Sequence, residues 1–164
     1  MTLDFGPRAR IAIAFAMLAA SCMAAAAGGF ELVTADEFQR DKDARNMVTR
    51  GAGAREPTAE RAADGPVIEV LTPEAKKPVK PPVDINVRFE PGPGARIVID
   101  TLRIRYGMIG LDVTERIRKA ATVTEQGIQA PGAALPAGSH SMSIEIADSA
   151  GRKTKQVFKF KVEA

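Results

Sequence analysis

The stretch from Pro136 to Val162, PAGSHSMSIEIADSAGRKTKQVFKFKV, decides the fold class. Two runs in it alternate with a period of two, the pattern of strands with one buried face and one wet face. In the first, Met142, Ile144 and Ile146 share a face, and Ser139, Ser141, Ser143 and Glu145 share the other. In the second, Phe158, Phe160 and Val162 point one way, and Lys155, Lys159 and Lys161 the other. Between them lies Asp148-Ser149-Ala150-Gly151-Arg152. Asp turns a chain by bonding its own backbone, and Gly by accepting positive φ. Pairing Ile146 with Thr154 sets Met142 opposite Phe158 and His140 opposite Phe160, and keeps the apolar side chains on one face. A slip of one residue would turn that set into water, so the pattern specifies its own register. A single apolar face needs a second layer, so this hairpin belongs to a larger sheet assembly.

The chain has 164 residues, room for one ordinary domain with extensions. Tryptophan is absent and aromatic residues make up 5%, so the core must come from Val, Ile, Leu, Met and Phe. A formal charge of +3 is small for this length and does not mark a nucleic-acid binder. With one Cys, no disulfide forms within the chain, and one His excludes a multi-histidine metal site within it.

Residues 1–27 read as a secretory signal peptide: Arg8 and Arg10, the apolar run Ile11 to Leu18, then small residues. The apolar run is shorter than the ~20 residues a membrane-spanning helix needs, so an uncleaved anchor is the lesser reading. Ala25-Ala26-Ala27 offers an A-x-A cleavage site and is the favoured route. Leu18-Ala-Ala-Ser-Cys22 resembles a lipobox with its aliphatic residue one place early, and would lipidate Cys22. Only that route implies membrane attachment. The expected location is periplasmic or secreted, from a Gram-negative cell. The two arginines are not adjacent, which argues against a twin-arginine route.

Residues 28–65 read as a flexible linker. Thr34-Ala-Asp-Glu37 matches a capping box, with a short helix over 35–46 as its consequence. Phe38, Ala44 and Met47 are its thin apolar content, so disorder is the favoured expectation. Arg50 to Gly65 has no periodicity and too little apolar surface to offset its ordering entropy.

Residues 66–164 carry the domain. Val67 to Leu71 is a first strand, followed by a Pro/Lys connection from Thr72 to Pro82. Val83, Ile85, Val87 and Phe89 alternate inward against Asp84, Asn86 and Arg88. Ile97 to Ile99 is a short apolar run. Leu102, Ile104 and Tyr106 then alternate against Thr101, Arg103 and Arg105. Leu111 to Thr114 follows a glycine turn. Thr114 to Lys119 reads as one helical turn or an irregular edge. Ala121 to Thr124 and Ile128 to Ala130 are weak strands, and Pro131 to Gly138 leads into the terminal hairpin. About seven short strands with frequent turns predict an all-β, immunoglobulin-like β-sandwich.

Several of these segments also carry a resemblance. Ile99-Asp-Thr-Leu-Arg-Ile-Arg-Tyr-Gly107 is similar to the D-x-S-L-x-V-x-x-x-G strand of bacterial Ig-like (cadherin/fibronectin III-like) domains of exported proteins. Leu111-Asp-Val-Thr114 resembles the x-D-V-T that follows it. Leu135-Pro-Ala-Gly-Ser-His140, Ile146-Ala-Asp-Ser-Ala-Gly151 and Phe160-Lys-Val162 resemble the closing L-x-x-G-x-H, V-x-D-x-A-G and F-x-V. Gly151-Arg152 stands where that family usually has Gly-Asn. The resemblance implies an adhesive, spacer or accessory module.

No catalytic, cofactor or metal constellation is expected, and the chain does not read as an enzyme. His140 lies in phase with buried residues, and a packed ring bonding backbone explains it better than a general base or ligand. Asp100, Asp112 and Asp148 sit near turns, but without an Asp-x-Asp cluster they read as local caps and turn formers rather than a calcium site. One constellation stands out. In an Ig-like sandwich the third strand and the last two lie side by side. That places Arg103, Arg105, Lys155, Lys159 and Lys161 on one open face with Ser141, Ser143 and Val157, offset by Glu145. A solvated face with lysines guarding an edge strand is the plain alternative. The expected function is an exported, non-catalytic module that binds or scaffolds an envelope or secreted protein. The alternative is an accessory module holding anionic glycan or lipopolysaccharide on those five cations.

Overall fold

The structure is a computed structural model and describes residues 29–49, 57–75 and 77–163. The expected signal peptide and Cys22 lie outside the described residues. Among those residues there are ten strands and two helices. In chain order they are β1 (Phe30–Glu31), α1 (Ala35–Thr49), β2 (Glu60–Arg61), β3 (Val67–Thr72), β4 (Val83–Glu90) and β5 (Ile97–Tyr106). Then come β6 (Leu111–Asp112), α2 (Thr114–Ala120), β7 (Thr122–Thr124), β8 (Gly127–Ala134), β9 (Gly138–Asp148) and β10 (Lys153–Val162).

The strands form two sheets. Sheet A runs β1-β8-β4-β3, with β7 also on β8, and sheet B runs β2-β10-β9-β5-β6. The inward residues of β4 (Val83, Ile85, Val87, Phe89) face those of β5, β9 and β10 (Leu102, Ile104, Tyr106, Met142, Ile144, Ile146, Phe158, Phe160, Val162) in one core. This is an all-β sandwich, immunoglobulin-like in general terms. The terminal hairpin has the register its alternation demands: Ile146 pairs with Thr154, Met142 with Phe158 and His140 with Phe160.

Three segments differ from the sequence reading. The run at Ile97 and the alternation from Leu102 are one strand, interrupted by an irregularity between Val98 and Arg103. Thr101 stitches that irregularity: its Oγ1 donates to Val98 O (2.6 Å) and accepts from Ala147 N (2.8 Å). The weak strand at Ile128 is β8, eight residues long and paired with β4 on one side and β7 and β1 on the other. Its small buried residues Ala130 and Ala133 gave little hydrophobic signal, and Pro131 falls where the β4 pairing shifts register.

The third difference concerns the expected linker at 28–65. Its described parts pack on the sandwich. Phe30–Glu31 runs parallel to β8, and Glu60–Arg61 extends sheet B beside β10. Leu32 and Val33 are 0% and 1% exposed and belong to the core. Two apolar residues have no periodicity to detect. Their burial partners lie far along the chain, so local composition does not report them. Leu32→Ala should therefore lower unfolding stability by about 2–5 kcal/mol, the usual cost of emptying a buried leucine site. A urea midpoint equal to that of the parent protein would show that residues 29–49 contribute nothing to the folded unit.

Candidate functional site

Sheet B brings the five expected cations to one face. Its register arranges that face in rows, with strands ~4.8 Å apart. The first row is Arg103, Glu145, Lys155 and Glu60. The second is Asp112, Arg105, Ser143 and Val157. The third pairs Ser141 with Lys159, and the fourth Ser139 with Lys161. Arg103, Arg105, Lys159 and Lys161 are exposed, whereas Lys155 is half-buried and Ser143 buried.

The rows do not share the charge evenly. In the first, cations and carboxylates alternate, and Asp112 answers Arg105 in the second. The Asp112 carboxyl is held below its ordinary range, first by the hydroxyl and amide of Thr114, with smaller help from Arg103 and Arg105. Arg103 also donates to Leu102 O (2.9 Å). The Arg103–Arg105 end of the face is thus close to neutral. At the Lys159–Lys161 end the β9 partners among the described residues are Ser141 and Ser139. There Arg45 of α1 reaches the sheet and donates from Nη1 to Ser139 O (2.8 Å). Arg45 was invisible as a site residue in the sequence because its helix lay in the expected linker.

The geometry of α1 decides where Arg45 sits. Its start is the expected capping box: Thr34 Oγ1 accepts from Glu37 N (3.2 Å), and Glu37 Oε2 accepts from Thr34 N (3.0 Å). Arg116 of α2 grips Glu37 with two hydrogen bonds, 2.7 and 2.6 Å, and also donates to Leu32 O (3.1 Å). One turn on, Asp41 is fully buried. Its carboxylate accepts from the backbone N–H of Met108 and of Ile109 and from Arg45. Gly107 turns there with φ +69°, and a side chain at that position would collide with Asp41. Phe38 stacks on His140 at 5.0 Å between ring centroids, and a Cβ on Gly138 would come within 2.6 Å of the Phe38 ring. Helix and sandwich are cut to each other at two glycine notches.

His140 takes the packed role expected of it. It is 1% exposed, with its ring between Phe38 and Phe160. Nε2 donates to Pro136 O (2.8 Å), so Nδ1 is the acceptor for the Tyr106 hydroxyl (2.7 Å). Burial pushes the His140 pKa down, which keeps the ring neutral, and burial foremost pushes the Tyr106 hydroxyl up. Asp148 forms the β9–β10 turn, accepting from Ala150 N and Arg152 N (both 3.0 Å) and from Arg152 Nε (2.8 Å). Asp112 accepts from Thr114 N (2.9 Å) at the start of α2. Among the described residues no group of three or more His, Cys, Asp or Glu side chains could hold a metal ion.

No family model matches the sequence, and no curated protein matches it. Among solved structures, the chain is similar to CopC from Methylosinus trichosporium OB3b, with a TM-score of 0.41 and 17% identity over 59% of this chain and 94% of that one.

The Glu37–Arg116 clasp makes a pH prediction. The Arg116 hydrogen bonds, foremost, hold the Glu37 carboxyl down to about 2 from its ordinary 4.5. A depressed folded-state pKa gives stability that is present above the ordinary value and lost as pH falls toward about 2. Glu37→Gln should therefore flatten the loss of stability between those two values, relative to the parent protein. Urea titrations across that range, read by far-UV circular dichroism, test it; identical slopes would show that the clasp does not hold the helix.

Proposed function

We propose that this protein is an exported, non-catalytic binding module of a bacterial envelope that docks an acidic partner on the outer face of sheet B. One observation supports the reading most: β5, β9 and β10 are neighbours in a register that gathers Arg103, Arg105, Lys155, Lys159 and Lys161 on one side of one sheet. Among the described residues, no carboxylate lies within ion-pair distance of Arg105, Lys155 or Lys161, although Glu145 and Asp112 share the face. Such a surface attracts polyanions at long range and releases them in salt. The periplasmic or secreted location follows from the signal-peptide pattern of residues 1–27. An acidic protein and the anionic saccharide of lipopolysaccharide both satisfy the charge requirement.

The double variant Arg103→Glu, Lys159→Glu should lose most of its binding to purified lipopolysaccharide at low ionic strength. Both side chains are exposed, so its melting temperature should stay close to the parent value, with a stability change within about 0.5 kcal/mol. Undiminished binding by the double variant, measured by calorimetry, would remove this face from the function.

A further inference from the structure

We infer that the outer face of sheet A carries a second binding site, a hollow over Gly127 that takes a neutral saccharide. It lies on the side of the sandwich away from the basic face and does not rest on that reading. The hollow holds about 510 Å³, within the ~300–1,000 Å³ of small-molecule sites. Four strands of sheet A form it, side by side in the order β3, β4, β8 and β7.

The strand pairing sets two adjacent rows. One is Glu69, Arg88, Gly127 and Thr124, and the next is Thr72, Asn86, Gln129 and Thr122. The first row has no side chain at its middle. Gly127 has φ +153°, and a Cβ there would lie 2.0 Å from Val87 O, so the backbone calls for glycine. The side chains of Val87 and Ile128 are in the core, which leaves main chain as the floor. The β7–β8 turn is drawn over one end: Gln126 O accepts from Phe89 N (2.9 Å), and Gln126 N donates to Thr124 Oγ1 (3.3 Å). On the other side the Thr72 hydroxyl accepts from Asn86 N (3.1 Å) and Asn86 Nδ2 (2.8 Å), which fixes that amide in place. Leu71, at the irregularity between Val70 and Thr72, is 41% exposed and lines the hollow.

The wall is polar without net charge. Among the described residues that line it, Arg88 is the charged one, and Glu69 answers it at 3.6 Å. The rest is amide and hydroxyl, from Asn86, Gln126, Gln129, Thr122 and Thr124, of which all but the half-buried Asn86 are exposed. Every one of these groups both donates and accepts. An anion offers acceptors alone and a cation donors alone, so neither uses such a wall. A saccharide hydroxyl donates and accepts at once, and a pyranose ring turns C–H groups to one side, where Leu71 gives them apolar surface. An extended peptide would need an open strand edge, whereas β4 and β8, at the centre of the hollow, are each paired on both sides.

The test titrates the full chain with maltotriose, cellotriose and triacetylchitotriose into the millimolar range and follows backbone amide resonances. Saturable shifts centred on Gln126, Gly127 and Gln129 are expected with at least one of the three, and added salt should leave them unchanged. Gln126→Ala combined with Gln129→Ala should weaken that binding about tenfold. Both side chains are exposed, so the melting temperature should not move. The Arg103→Glu, Lys159→Glu variant should bind the same sugar as the parent protein does. No saturable shift with any of the three sugars, shifts centred on sheet B, binding that falls with salt, or equal affinity in the alanine pair each overturn the hollow. If sugar binding holds while lipopolysaccharide fails to bind, the basic face falls and the hollow stands; the reverse result removes the hollow and keeps the basic face.

Discussion

The ladder between β9 and β10 carries the rest of the molecule. It aligns Gly138–Ala147 against Lys153–Val162 without a break, and its alternation sends Met142, Ile144, Ile146, Phe158, Phe160 and Val162 into the core. Register in a sheet is all or nothing: displacement by one residue exchanges the two faces. Because the inner face must be apolar, the outer face is thereby set as Ser139, Ser141, Ser143 and Glu145 beside Lys155, Lys159 and Lys161. Core and candidate surface are two consequences of one pairing.

The second constraint is the way α1 is held. Asp41 brings a buried carboxylate to the backbone of the Gly107 turn, and the N–H groups of Met108 and Ile109 with the Arg45 guanidinium compensate its desolvation. Phe38 fits over Gly138 and stacks on His140, whose own nitrogens are both engaged within the sandwich. Glu37 and Arg116 close the other side. A helix with thin apolar content is therefore docked by polar chemistry and one ring. The docking also brings Arg45 to the edge of the basic face, where it donates to Ser139 O.

The charge on that face is resolved only by position. Five cations in the sequence look like one stripe, but Glu145, Glu60 and Asp112 fall beside Arg103, Lys155 and Arg105 once the strands are paired. At the other end Lys159 and Lys161 pair with Ser141 and Ser139. Coulomb interactions depend on which neighbours lie within a few ångströms. A count of charged residues cannot supply that.

The sequence by itself determined the all-β class, the terminal hairpin and its register, the inward set of β4, the capping box at Thr34–Glu37 and the packed character of His140. Each shows in local pattern: alternation with period two, a turn residue, a capping box, or a polar residue in phase with buried neighbours on its own strand. Tertiary structure alone decided that Leu32 and Val33 enter the core, that α1 docks instead of dangling, that β8 is a full strand, and that Arg45 joins the face. These rest on contacts between residues up to about a hundred positions apart. A buried aspartate reads in sequence as a surface residue until its distant amide partners are in place. Small residues such as Ala130 and Ala133 give almost no periodic signal, although the space between two sheets admits them as core. Local pattern reports which way a side chain must face; only the closed fold reports what it meets there.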